Sequence, residues 1–497
     1  MERGYILSID RGQSRIKAAL CGWNAEVLDI ESSQCQPIQV PYEGWAQQDM
    51  ELMWNQTVML IKRLFQKSKI RAEEVAAISF SGQGGGNFLI DQYGKPVYSG
   101  VLSLDNRHEE ISEMFQGEDI PRTIAFMRWL KEKEPETFKK TRWILGSKDW
   151  IRYCFTGKAN ADMSDTPAPV DFEKGVYRFD CLEKAGVSEC AEMLPPLVYA
   201  SEVCGGVTQD AAKLTGIPEG TPVVAGAHDM IACSIGAGGD HEGHLAIILG
   251  TLGINIAVVR NEEADLEGNL PGKRFVFGGA VRGWRNMTTS IGSGCNTMNW
   301  VLDLLYEKEK ESLKESNGDI FSFIENKLEG KEPVDMLFQP YLMGTFYNSA
   351  AKAGLLGVTV GTSKEDIIMS AYQGICISMC IEIDKLEEKI QNLDDIWLTG
   401  GGSKSNIWPQ MFADTLGRPV HIGVCNELGC RGAALCAGIA LGWYSLDSDF
   451  PRLKAGKTYY PRERFTKIYQ RQKEWYQYVY DISVQYWERQ SSYRENE

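Results

Sequence analysis

The residues from Tyr5 to Leu20 carry the first sign of chemistry. They read Tyr-Ile-Leu-Ser-Ile-Asp10-Arg-Gly12-Gln13-Ser14-Arg15-Ile-Lys17-Ala-Ala-Leu. An apolar run closes on an aspartate, a small polar turn follows, and an alternating run leaves it, which predicts a β-hairpin. Such a turn aims backbone N–H groups at phosphate oxygens, so Gly12, Gln13 and Ser14 are candidate phosphate ligands. Asp10 is a candidate ligand for the Mg²⁺ of a nucleoside triphosphate, because that ion takes oxygen donors and keeps several waters. On the residues alone, Asp10 is equally a turn-forming aspartate.

Three more turns follow predicted strands, where α/β folds place ligands. Leu249-Gly250-Thr251-Leu252-Gly253 makes Thr251 a second candidate phosphate contact. Leu398-Thr-Gly400-Gly401-Gly402-Ser403-Lys404-Ser405-Asn406 admits close approach to a flat nucleoside, with Gly401, Gly402, Ser405 and Asn406 as candidates. Ala225-Gly-Ala-His228-Asp229-Met230 puts one acid at a strand tip, as a helix N-cap or as a base. Neither a Walker A loop nor a dinucleotide fingerprint is present, so nucleotide binding must take another form.

These turns need strands and helices in alternation. Strands are predicted at 76–81, 88–91, 96–104, 222–227, 245–250, 254–259 and 396–399. Helices are predicted at 120–134, 143–155, 297–305, 307–315, 364–390 and 462–486, with a loop at 167–174. No short repeat shows. With 497 residues the chain exceeds one core. Two α/β domains are expected, divided near 238–243, as 1–242 and 243–497, with a nucleotide and sugar cleft between them.

A net charge of −15 argues against nucleic acid or an anionic membrane as partner. The thirteen cysteines show no metal spacing, and five histidines offer little for a histidine metal site. The start, Met1-Glu-Arg-Gly-Tyr5, lacks a signal-peptide core. No apolar run reads as a bilayer span, so a cytoplasmic protein with reduced thiols is expected.

Across nearly its whole length the chain resembles the FGGY carbohydrate kinases, of the actin and hexokinase-like (ribonuclease H-like) superfamily. The strongest piece is Ala353-Gly354-Leu355-Leu356-Gly357-Val358, then seven residues, then Asp366-Ile367-Ile-Met-Ser370-Ala371-Tyr372-Gln373. It reads as tight turn, helix cap and helix core. The Asp10 hairpin, the Thr251 turn, the glycines at 400–402, Gly44-Trp45-Ala46-Gln47-Gln48-Asp49 and Gly429-Cys-Arg-Gly-Ala-Ala434 match in order. Phe126 stands where the family carries lysine, and Gln13 where it carries Thr or Ser.

The resemblance implies roles residue by residue. Asp229 is the base that takes the proton of the sugar hydroxyl as it attacks the γ-phosphate of ATP, Asp10 is the Mg²⁺ carboxylate, and the turns above hold the nucleotide. Lys17 is expected to face outward. Ser81-Gly82-Gln83-Gly84-Gly85-Gly86 resembles the sugar loop of L-xylulose kinases more than the Ser-Gly-Gln-Met-His-Gly of D-xylulose kinases, making Gln83 and Gly84 sugar contacts. Leu102-Ser-Leu-Asp105-Asn-Arg107 resembles the same type, with Asp105 accepting sugar hydroxyls and Arg107 orienting it; the plainer reading is a surface ion pair. His228 beside Asp229 is similar to 6-deoxyketohexose kinases, and Trp45 and Trp284 are candidate sugar-stacking rings.

The expected activity is ATP- and Mg²⁺-dependent phosphorylation of a small ketose such as L-xylulose or D-xylulose. The alternatives are a kinase for a 6-deoxyketohexose, polyol or aldonate, and a nucleotide-dependent sensor without kinase activity. The resemblance also makes a homodimer the expected assembly.

Overall fold

Strand β1 (Tyr5–Arg11) is buried on both faces, as a central strand must be. It turns at 12–14 into β2 (Arg15–Cys21), placing Asp10 opposite Lys17, and β2 pairs with β3 (Val27–Gln34). The computed structural model describes residues 4–115, 120–239, 241–260, 275–345, 348, 350–390 and 392–494. The opening residues 1–3, and residue 240 within the expected domain boundary, lie outside these.

Helix α1 (Met50–Lys67) is capped by the Asp49 carboxylate on Leu52 N–H and buries Met50, Met53, Thr57, Leu60, Ile61 and Leu64 at helical spacing. It leads to β4 (Val75–Gly82), parallel to β1. After α2 (Ser147–Thr156) come β5 (Val203–Gly206), β6 (Pro222–Val224) and β7 (Ala227–His228), then α3 (Asp229–Ala237). The sheet order is β5-β6-β4-β1-β2-β3, with β7 on β4.

The chain then repeats this plan with β8 (His244–Leu249), β9 (Gly253–Arg260), β10 (Trp284–Ser290) and α4 (Cys295–Glu315). Next come β11 (Leu337–Gln339), β12 (Gly354–Leu356) and α5 (Lys364–Glu387). They are followed by β13 (Asp395–Thr399), α6 (Trp408–Leu416), β14 (Val420–Gly423), α7 (Leu428–Ala440), β15 (Ala455–Tyr459) and α8 (Glu463–Arg494). The second sheet runs β15-β14-β13-β8-β9-β10, the order of the first, with Phe275–Gly278 as a further edge strand on β10. Each central strand pairs antiparallel with its hairpin partner and parallel with the strand that returns after a helix. The chain is thus a duplicated α/β fold.

The described residues of Met1–Asp240, Phe277–Arg285 and Glu427–Arg452 form one compact unit; those of His241–Val276, Asn286–Asn426 and Leu453–Glu497 form another. In the first unit α7 lies against α3 at glycine contacts: a side chain on Gly236 would meet the Leu428 carbonyl, and one on Gly432 the Ala232 carbonyl. Helix α5 is long and apolar enough to cross a membrane, but 83% of its apolar window is buried, so it is a core helix.

Several predicted elements differ. Residues 143–155 divide into a strand (Trp143–Leu145) and α2, because Gly146 breaks the run at an extended N-cap. Only Gly100–Val101 of 96–104 is strand; Gly100 leaves the room that the Phe88 ring occupies. The 222–227 run splits at Gly226, whose φ of +71° excludes regular strand. The two helices expected at 297–315 are one, bent at Tyr306 with φ −133°. Within the 167–174 loop, Val170–Asp171 pairs with Val176–Tyr177.

Candidate active site

In the first unit the β1–β2 turn is braced from behind. Arg11 Nη2 donates to Gln48 Oε1 at 2.7 Å, and Gln83 N–H donates to the Arg11 carbonyl at 2.9 Å. This leaves Gly12, Gln13 and Ser14 at the tip, and the Gln13 side-chain nitrogen is buried without a partner. Asp10 Oδ1 accepts the Ser81 hydroxyl at 2.9 Å. Burial pushes the Asp10 carboxyl up to about 6; Lys17 opposes this and the Asp229 charge adds to it.

Lys17 corrects the sequence reading. Its ammonium lies 3.7 Å from Asp10 Oδ2 and 2.7 Å from Glu427 Oε2, so it faces the carboxylate rather than solvent. The Cβ that Gly429 lacks would lie 3.2 Å from Asp10 Oδ2, so α7 starts against this carboxylate with nothing larger than glycine.

Asp229 stands at the first position of α3, with His228 at the cap and no side-chain cap bond. Its Oδ1 accepts the Met230 N–H at 2.7 Å and lies 3.2 Å from His228 Nε2, and its side chain remains 41% exposed. It therefore holds the first turn of α3 through the Met230 N–H and is at the same time an accessible carboxylate. Opposite lies the 83–86 loop. A Cβ on Gly84 would fall 2.7 Å from His228 Nε2 and 2.8 Å from Asp165 Oδ1, while Gly85 N–H donates to that same oxygen at 3.0 Å. Burial pushes Asp165 up to about 6. Asp165 Oδ2, His228 Nδ1 and Gln83 Oε1 are buried without partners.

A buried ionic network underlies this loop. Lys148 contacts Asp149 at 2.7 Å and also Asp162; Arg152 contacts Asp149 at 2.7 Å. Burial opposes the charge on Lys148, but the two carboxylates outweigh it and raise its pKa. Asp162 then accepts the Ser164 N–H at 2.8 Å, and the Ser164 hydroxyl accepts the His228 N–H at 2.8 Å. The network thereby fixes the backbone next to Asp229.

Arg107 holds Asp105 as expected, but Asp105 is not left open to a sugar. Both side chains are at most 1% exposed. Asp105 Oδ1 accepts Arg107 N–H at 3.1 Å and Nε at 2.7 Å; Oδ2 accepts Arg107 Nη2 and Ala46 N–H, each at 2.6 Å. With both oxygens doubly engaged, Asp105 has no lone pair for a sugar hydroxyl, and the pair is no surface ion pair either. The Arg107 guanidinium lies 3.7 Å over the Trp45 ring, so Trp45 serves this cage rather than a sugar face.

In the second unit the β8–β9 turn rests on three glycine backbones and a helix start. Cβ atoms on Gly294 and Gly400 would lie 2.8 Å from the Gly250 carbonyl and 2.6 Å from the Leu249 carbonyl. Cys295 and Asn296, opening α4, donate to the Gly250 and Thr251 carbonyls at 2.9 and 3.3 Å. Thr251 itself is exposed, as is Gly401. Gly402 is buried against Leu249 and supports the turn rather than facing solvent. Ser405 is occupied as a cap, its hydroxyl accepting Ile407 and Trp408 N–H at 3.0 and 3.3 Å. Exposed Asn406 donates through N–H and Nδ2 to the Glu325 carboxylate, both at 2.9 Å.

Two family models cover this architecture: the N-terminal domain of the FGGY family of carbohydrate kinases matches residues 5–236, and its C-terminal domain matches 245–441. The chain belongs to the FGGY family of carbohydrate kinases. It is 27% identical to the L-xylulose/3-keto-L-gulonate kinase of Escherichia coli K12, covering 96% of each chain. It is 28% identical to a probable L-xylulose kinase of Haemophilus influenzae, over 87% of this chain and 90% of the relative. The xylulose kinase structure from Rhodospirillum rubrum superposes with a TM-score of 0.84 at 21% identity, over 97% and 100% of the two chains.

Set beside other FGGY kinases, the chain answers its missing lysine with packing: Phe126 is 1% exposed and stacks 6.0 Å from Trp129. Lys17, Glu427, Ser81 and Asp165 were not among the residues expected at the site, whereas His228 was singled out beside Asp229. The one local signal was Lys17, seven residues after Asp10 across a two-stranded turn. The others come from distant segments. The site's chemistry also suits Mg²⁺. Asp10 is a half-buried carboxylate under an upward push that a cation relieves, and the Gln13 amide nitrogen is an orphaned donor at the phosphate turn. Among the described residues no three acidic, histidine or cysteine side chains gather as a metal cage.

Proposed function

We propose that this carbohydrate kinase transfers the γ-phosphoryl group of ATP to a hydroxyl of a neutral ketopentose of the L-xylulose type. The observation that carries the substrate class is the set of groups around Gly84. Gln83 Oε1, Asp165 Oδ2 and His228 Nδ1 are unpartnered polar atoms beside an accessible Asp229. Carboxylates, an imidazole and an amide match the hydroxyls of an uncharged sugar. Two carboxylates there disfavour an acid substrate such as an aldonate. L-xylulose stands in the names of the Escherichia coli and Haemophilus influenzae relatives, which supports a ketopentose, while the Escherichia coli name also carries a sugar acid, 3-keto-L-gulonate.

The reaction is a single displacement. Asp229 accepts the proton of the attacking hydroxyl, the sugar oxygen bonds to the γ-phosphorus, the bond from that phosphorus to the β,γ-bridging oxygen breaks, and ADP leaves. Such transfer depends mainly on alignment and charge stabilisation. The Lys148–Asp162–Ser164 chain aligns His228 and Asp229. In the first unit the amides at 12–14 and the Gln13 side chain are phosphate donors; in the second, Thr251 is a phosphate contact and Gly401 and Asn406 flank the nucleoside. Asp10 holds Mg²⁺, which when bound neutralises phosphate charge.

The test is a panel of ketopentoses, 6-deoxyketohexoses, polyols and aldonates incubated with Mg-ATP, with the phosphorylated product identified by ³¹P NMR. A ketopentose is expected to give the highest kcat/KM. Preference for an aldonate or a polyol would replace the substrate class, and sugar-independent ATP hydrolysis would favour the sensor reading.

A further inference from the structure

The exposed end of the glycine loop at 400–406 is held in one sense. Asn406 stands just before α6, and its backbone N–H and side-chain Nδ2 donate to Oε1 and Oε2 of a single carboxylate, Glu325, both at 2.9 Å. A carboxylate has only acceptors to offer, so the amide end turned toward it is the nitrogen. The amide oxygen is the end left for a ligand, and among the described residues nothing donates to it.

Both partners sit on anchored backbone. Glu325 lies on the helix Ile320–Leu328, where the Asp319 carboxylate accepts the Ser322 N–H at 2.8 Å, and Ile320, Ile324 and Leu328 are buried in the core of the second unit. On the loop side, the Ser403 hydroxyl donates to the Gly400 carbonyl at 2.8 Å and Ser405 N–H donates to the Gly402 carbonyl at 3.2 Å. Glu325 and Asn406 line a cavity of about 400 Å³ with Met369, Met411 and Phe465, which leaves room for a purine.

We propose that Glu325 is a positioning residue that sets the choice of nucleobase. By holding Nδ2, it makes Asn406 present an acceptor to the edge of the base. Adenine carries a donor there, its 6-amino group, whereas guanine and hypoxanthine carry the 6-carbonyl oxygen, an acceptor. The clamp thus pairs with an adenine nucleotide and sets lone pair against lone pair with a 6-oxopurine. The glycines of the loop admit either base, so the selection falls to this pair. This role rests on Asn406 flanking the nucleoside, as in the function proposed above; Glu325 fixes the sense of that contact.

Glu325→Gln reverses the pattern with almost no change of shape. The Asn406 N–H still needs an acceptor and takes the glutamine oxygen. The glutamine nitrogen then faces the asparagine side chain and draws its oxygen inward, so that Nδ2 meets the base as a donor. A donor there suits the 6-carbonyl and opposes the 6-amino group. Glu325→Ala removes the clamp and leaves the amide free to turn either way.

The test is titration calorimetry of the full chain with ADP and with IDP, in Mg²⁺ and without sugar, so that the result is independent of the ketopentose assignment. The wild type is expected to bind ADP at least about tenfold more tightly than IDP, as one hydrogen bond exchanged for a clash requires. Glu325→Ala is expected to bring the two affinities together, and Glu325→Gln to favour IDP. A wild type that does not distinguish the two nucleotides would overturn the proposal. So would variants that keep the wild-type ratio or weaken both nucleotides equally, since a merely structural role does that. Asn406→Ala separates the two possible failures. If it leaves ADP affinity unchanged, the nucleoside assignment of Asn406 falls and the role of Glu325 with it. If it weakens ADP while the Glu325 variants keep the wild-type ratio, the role of Glu325 alone falls.

Discussion

Gly84 and His228 share one space: the first side-chain carbon that any other residue would carry at 84 falls 2.7 Å from Nε2 of the imidazole. That imidazole lies 3.2 Å from the Asp229 carboxylate. Gly84→Ala therefore displaces His228, Asp165 or the loop. Its kcat/KM for the sugar should fall about 10- to 100-fold, because small misplacements near a reacting group are costly. The KM for ATP should change little. Steady-state kinetics with both substrates varied will read this, and an alanine variant with wild-type sugar kinetics would contradict it.

Gln13 should act on the other substrate. Its buried amide nitrogen has no partner within the protein. A hydrogen bond to a charged group contributes about 1.5–3 kcal/mol, so Gln13→Ala should raise the KM for ATP roughly 10- to 100-fold and leave the sugar KM in place. Inhibition by ADP should weaken in parallel.

Asp10 links activity and stability to pH in opposite senses. Its carboxyl is raised from 3.8 to about 6 by burial, so the folded protein binds this proton more tightly than the unfolded chain. The stabilisation this proton gives is complete below pH 3.8 and lost as pH rises through about 6. Asp10→Asn should therefore melt higher than the wild type at pH 7.5, with the gap closing toward pH 4. Activity needs the ionised form, so wild-type kcat/KM should fall below about pH 6. Thermal melts and pH profiles of the two proteins check both statements. A variant melting lower at pH 7.5 would refute the burial argument.

The buried pair Asp105 and Arg107 makes a stability prediction. Removing one partner of a buried ion pair costs about 3–5 kcal/mol, against 1 kcal/mol or less for a surface pair. Asp105→Ala should thus destabilise the first unit strongly in urea, while any protein that still folds keeps its sugar KM. A large rise in sugar KM without loss of stability would return Asp105 to the sugar.

What the sequence disclosed was local. The hairpin at Asp10 and the turn at Thr251 show as apolar runs broken by small polar residues, and both were placed within a residue or two. The helix cap at Ser363 showed in the same way. The sequence showed a second run of strands and a second phosphate turn but not the duplication itself, because that lives in strand order while most side chains of the paired strands differ. Lys17 looked solvent-facing because its partner Glu427 lies 410 positions away. Asp105 looked like a ligand because its saturating donors, Ala46 and the Arg107 fork, belong to tertiary geometry. Asp165 stood unremarked in a loop, and only folding brings it to Gly84.

The most direct measurement of the central claim is single-turnover ADP formation from Mg-ATP and a saturating ketopentose by wild type and Asp229→Asn. Asparagine can still accept the Met230 N–H, so the helix start survives. The account predicts a rate about 10² to 10⁴ lower, as loss of a general base gives, with sugar binding and melting temperature nearly unchanged. A variant turning over at the wild-type rate would contradict the assignment of Asp229 as the base.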